Sequence, residues 1–158
     1  MFRKLILLSM LFASLSASAN DFKFFKALSG SKEYGLMYVF SAQCPHCQKM
    51  VPVIKQIQNQ YDIDIFAIAQ NGIGLGSLQD VVPLTKDIAS KYFPNGQVMF
   101  PYLALQQLNG DMQVYPVGVG ETTANKLLNI LDKYSKNILL GDWSNNNDSG
   151  TYMLEENN

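Results

Sequence analysis

The segment GLMYVFSAQCPHCQKMVPVIKQI, residues 35–57, decides how this chain reads. Its first half carries a continuous apolar run, Leu36 to Phe40, rich in Val and aromatics. Such a run predicts a strand buried on both faces, as in the middle of a parallel sheet. Its second half sets Met50, Val51, Ile54 and Ile57, with Tyr61 beyond, on one helical face. Pro45 falls in the first helical turn, where a missing N–H costs no hydrogen bond. Pro52 falls inside the helix, where it removes one and predicts a kink. At the junction stands Cys44-Pro45-His46-Cys47, which holds the only two cysteines and the only histidine of the chain.

A dithiol at a strand-to-helix junction suits thiol–disulfide exchange. A helix start offers free N–H groups and the positive end of the helix dipole, both of which stabilise a thiolate at Cys44. A protonated His46 adds positive charge. Stabilising the thiolate favours the reduced form and makes the disulfide oxidising. In a C-x-x-C at a helix start the first sulfur is reachable and the second covered. Cys44 is therefore expected to attack and be attacked, with Cys47 resolving the mixed disulfide, Pro45 shaping the turn and His46 tuning it. The bland reading of His46 is an idle, solvent-facing ring.

Competing chemistries fit less well. A structural zinc site takes about four ligands, and two cysteines and one histidine within four residues do not supply them from one chain. A stabilising staple is a poor explanation, because closing so short a loop removes little unfolded-state entropy. Gly72, Gly74 and Gly76 do not form G-x-G-x-x-G, and no phosphate-binding lysine follows, so Asn71 to Ser77 reads as a mobile loop rather than a nucleotide site. No cofactor beyond the Cys44–Cys47 disulfide is expected.

The chain has 158 residues, 47% of them hydrophobic and 16% charged, with a formal net charge of −1. Those values fit one globular domain with a real core and no basic surface for nucleic acid. Arg3 and Lys4, the apolar run Leu5 to Leu15 and Ala17-Ser18-Ala19 read as a secretory signal over residues 1–19. The run is well short of the roughly 20 residues that span a bilayer. Removing it leaves 10 basic and 13 acidic side chains, a net charge of −3. Export places the cysteines in an oxidising compartment.

Outward from the motif, Phe22, Phe25 and Leu28 predict a short helix over Asp21 to Ser31. Asp62 to Ala69 predicts a second strand, parallel to the first across a right-handed crossover. Val81 to Phe93 is expected to be helical. Pro101 to Gln107 and Met112 to Gly118 flank Asn109-Gly110, a hairpin signal. Pro116 suits an edge. Glu121 to Ser135 predicts a closing amphipathic helix, capped by Thr122 or Thr123, and Ile138 to Leu140 is expected to pack back on the body. The result is an α/β domain over residues 20–141, a four-stranded mixed sheet flanked by helices, followed by a polar tail, residues 142–158, expected to be disordered.

With these elements in order, the chain resembles the thioredoxin superfamily from about Leu36 to Leu131. Cys44 to Cys47 matches that family's C-x-x-C, with the Pro-His pair of the oxidase DsbA. Pro52 and Gly120 stand where relatives carry proline and glycine. Pro101 stands where they carry a cis-proline facing the cysteines, and the resemblance implies that Phe100 and Pro101 bind substrate. The signal, the short body, Tyr92-Phe-Pro94 and Phe100-Pro101-Tyr102 resemble the exported thiol–disulfide isomerases of F-type conjugative transfer systems, the TrbB group. That likeness implies an oxidase or isomerase acting on exported cysteine-containing proteins, among them pilus-assembly proteins, with a membrane or periplasmic redox partner. Two positions depart from the pattern. Tyr38 stands where thioredoxin and DsbA have a buried acid, and Phe100 where relatives often have Thr or Val. The competing class is a non-catalytic interaction module of a secretion apparatus, its cysteines permanently oxidised.

Overall fold

The computed structural model describes residues 22–142 and the backbone of residues 152–153. The expected signal, residues 1–19, lies outside the described residues. The elements run α1 (Lys23–Gly30), β1 (Tyr34–Phe40), α2 (Pro45–Tyr61), β2 (Asp64–Ala69), β3 (Val81–Pro83), α3 (Lys86–Tyr92), β4 (Tyr102–Gln107), β5 (Val114–Val119), α4 (Ala124–Leu140) and β6 (Tyr152–Met153). The sheet order is β3-β2-β1-β4-β5-β6. β1 is central, parallel to β2 and antiparallel to β4. This is a thioredoxin-like α/β fold, with the dithiol motif at the end of its central strand.

β1 alternates between two cores. Leu36, Tyr38 and Phe40 enter one with residues of α1, α2 and α4. Met37 and Val39 enter the other with Tyr92, Phe93 and Tyr102. That double burial is why the strand reads as an unbroken apolar run. Each large side chain taken fully from water contributes about 1.5–3 kcal/mol, so these two layers hold the motif's platform rigid.

Three expectations are corrected. The sheet has five strands within residues 22–142, not four, and β6 adds a sixth. The extra strand, β3, occupies the start of the segment expected to be helical. Val81 and Val82 are β-branched and favour extended backbone, and they pair in parallel with Ala67 and Ile68. Pro83 closes the strand at the sheet edge, where its missing N–H is tolerated. α3 starts only once Thr85 caps it, its Oγ1 accepting from Ile88 N at 3.3 Å. The closing helix is the third correction. It begins at Ala124 rather than Glu121, because Thr123 takes the cap position and its Oγ1 accepts from Lys126 N at 3.4 Å. It runs on through Ile138 to Leu140 and ends at Gly141, whose φ of 64° suits a glycine stop.

The expected hairpin is present. β4 and β5 form the antiparallel hairpin. Leu103 pairs with Gly118 and Ala104 with Pro116, so Val117 is an extra, bulged residue. β6 pairs only with Gly118 and Val119, which leaves Pro116 outside that ladder. Of the polar tail, Tyr152–Met153 runs parallel to β5, and the rest beyond Asp142 lies outside the described residues. α1 lacks a side-chain cap of its own. Asp132 of α4 supplies one from a distance, its Oδ1 accepting from Phe24 N and Phe25 N at 2.9 Å each.

Candidate active site

The chain leaves β1 at Phe40 and turns over Ser41 to Gln43, with Cys44 N donating to Ser41 O at 3.1 Å. Cys44 then takes the cap position of α2. Its Sγ accepts from Cys47 N at 3.2 Å, so the thiol does the work that a serine or aspartate oxygen does at other helix starts. Pro45 follows at the first helical position. Neither cysteine is in a disulfide.

The two sulfurs have different surroundings. Cys44 is partly exposed and Cys47 is completely buried. Burial is the main reason the Cys47 thiol is pushed up to about 12, with its hydrogen bond to Cys44 acting in the same direction. Cys47 is thus held as a neutral thiol at ordinary pH. Cys44 is the sulfur a second molecule can reach.

Opposite Cys44 lies the loop before β4. The Phe100–Pro101 peptide is cis, and Phe100 O faces Cys44 Sγ at 4.0 Å. Pro101 O accepts from Gly120 N at 3.0 Å, joining this loop to the segment before α4. Cys44, Cys47, Phe100 and Pro101 therefore come together at one end of the sheet.

Tyr38 lies beneath them, fully buried, its ring stacked on Phe40 with centroids 5.2 Å apart. Its hydroxyl donates to Cys47 O at 2.8 Å. Burial first, then the nearby cysteines, lifts its pKa far above the usual tyrosine range. The side chain at this position is a neutral donor committed to the helix backbone.

His46 turns outward to a residue the sequence reading placed inside a helix. Its Nδ1 lies 2.8 Å from Glu121 Oε2, and Lys49 Nζ donates to Glu121 Oε1 at 2.9 Å. Those hydrogen bonds, from Lys49 and then His46, hold the Glu121 carboxyl below its ordinary value. The available signal was the pair Thr122-Thr123. Starting the helix after Thr123 puts Glu121 in the loop, free to face α2.

A family model described as "TraF: F plasmid transfer operon protein" matches residues 19–131. The chain belongs to the TraF family. It is 27% identical over 92 residues to Protein TrbB of Escherichia coli (strain K12). That match covers 58% of this chain and 50% of TrbB, so the chain spans about half the length of this relative. The solved structure described as MTB dsbF in its mixed oxidized and reduced forms aligns at 16% identity with a TM-score of 0.43, covering 65% of this chain and 81% of that one. Among the described residues no helix is long and apolar enough to cross a membrane, and no group of three or more His, Cys, Asp or Glu side chains is placed to hold a metal ion.

Proposed function

We propose that this TraF-family chain is a protein thiol–disulfide oxidoreductase, an oxidase or isomerase, acting in the periplasm on exported cysteine-containing proteins of a conjugative transfer system. The observation that carries the reading is the asymmetry of the dithiol. A partly exposed Cys44 caps a helix, while a buried Cys47 is held as a thiol.

In oxidation, a substrate thiolate attacks Cys44 Sγ of the Cys44–Cys47 disulfide. A mixed disulfide forms and the electron pair leaves on Cys47, which takes a proton. A second substrate thiolate then attacks the substrate sulfur, and Cys44 leaves as thiolate. The substrate loses two electrons and two protons, and the enzyme disulfide gains the electrons. In isomerisation, Cys44 thiolate attacks a substrate disulfide and is displaced by another substrate thiol, with no net change. Should the adduct stall, Cys47 releases it. The cis-peptide loop, with Phe100 O facing Cys44, is the surface against which the substrate strand lies. Pro45 fixes the turn that presents the sulfur. The likeness to TrbB and the family's description support conjugative transfer proteins as the clients. The signal-like residues 1–19 support export.

The test is equilibration with reduced and oxidised glutathione. The pair is expected to interconvert between dithiol and disulfide, with glutathione adducts on Cys44 alone. A pair that stays in one form across the full range of glutathione ratios would overturn the reading.

A further inference from the structure

The structure places a carboxylate in contact with the redox motif that the reaction as drawn does not use. Glu121 holds two side chains of the first turns of α2, His46 through Nδ1 and Lys49 through Nζ. Those two side chains are largely exposed, with side-chain exposures of 57% and 66%, whereas Glu121 is at 27%. The residues on either side of Glu121 are pinned. Gly120 N donates to Pro101 O, and the buried Thr122 N contacts Met50 Sδ of α2 at 3.2 Å. Its backbone therefore cannot drift from α2, and the contact belongs to the fold rather than to a free surface side chain.

A Cys-Pro-His-Cys turn owes part of its oxidising character to positive charge near the first sulfur, because a cation stabilises the thiolate and hence the reduced form. Glu121 works against that. It draws His46 and Lys49 to itself, and its negative charge is tied to the first turns of α2 through them. Its carboxyl is kept ionised by the hydrogen bonds it accepts.

We propose that Glu121 is a positioning residue that sets the redox balance of the Cys44–Cys47 pair, holding the disulfide less oxidising than the bare motif would be. The proposal rests on the oxidoreductase reading above. The step it tunes is disulfide plus two glutathione thiols going to dithiol plus one glutathione disulfide, in which two electrons and two protons pass to the protein sulfurs. A set-point away from the strongly oxidising extreme suits an enzyme that must release wrongly paired substrates as well as make new bonds.

The experiment compares the glutathione equilibrium constants of the full chain, Glu121→Gln and Glu121→Asp at neutral pH. Glu121→Gln keeps shape and removes charge. It is expected to shift the equilibrium about threefold to tenfold toward the dithiol, of the order of a unit charge's interaction at a water-exposed site. Glu121→Asp, which keeps the charge, is expected to stay nearer the unsubstituted protein than Glu121→Gln does. A merely structural role weakens the oxidised and reduced forms alike and cancels in this ratio. A Glu121→Gln shift smaller than about threefold, or one toward the disulfide, overturns the proposal by the same scale. An Asp variant that shifts as far as Gln also overturns it. If the unsubstituted pair does not exchange at all, the oxidoreductase reading fails. If it exchanges and Glu121→Gln matches it, only this inference fails.

Discussion

Tyr38→Phe separates two accounts of Tyr38, as an anchor of α2 and as a proton route. The substitution removes one oxygen and keeps the ring that stacks on Phe40. The lost interaction is a buried O–H···O bond of 2.8 Å to Cys47 O. A buried hydrogen bond contributes about 0.5–1.5 kcal/mol net, and leaving its acceptor short of a partner adds to the loss. A destabilisation of about 1–2 kcal/mol is expected on those grounds. Urea titration should report it as a lower midpoint with an unchanged slope. The rate of thiol exchange is expected to move by less than about twofold, because a proton-transferring group lost from its step would cost about 10²–10⁴-fold. Tyr38 holds its proton at ordinary pH, since burial lifts its pKa far above the usual range. A variant of unchanged stability would refute the anchoring argument, and a variant slowed a hundredfold would make Tyr38 the proton route.

Alkaline stability should depend on redox state. Burial raises the Cys47 thiol from 9.0 to about 12, and raises Tyr92 and Tyr102 from 10.0 to about 12. The folded chain thus keeps protons that the unfolded chain gives up. The stability these groups contribute is complete below pH 9 and is lost as pH rises from there through 12. Urea midpoints measured across that window should fall more steeply for the dithiol form than for the disulfide form, in which Cys47 has no proton to lose. Asp132→Ala should cost about 1–2 kcal/mol, the scale of a lost helix cap, and amide exchange should show the loss concentrated at Phe24 and Phe25, the donors to that carboxylate.

The site was legible where chemistry and chain order coincide. Cys44 and Cys47 are neighbours in sequence, and the turn from strand to helix puts the first at the helix start and the second on the helix face that packs into the core. The central strand was legible because burial on both faces leaves no polar residue from Leu36 to Phe40. What was hidden depends on residues distant in sequence. Glu121 meets His46 across 75 positions, and Asp132 caps α1 across more than 100. No local pattern records such pairings. β3 was hidden for another reason. Three residues are too few to show a period, and a proline fits the first turn of a helix as readily as the end of an edge strand.

The central claim is that Cys44 carries substrates and Cys47 releases them, and a Cys47→Ala variant tests it directly. In cells exporting conjugative transfer proteins, this variant is expected to accumulate mixed disulfides through Cys44. These should be visible as reducible adducts on non-reducing gels and absent when Cys44 is also replaced by Ser. No adducts, or adducts that persist without Cys44, would contradict the account.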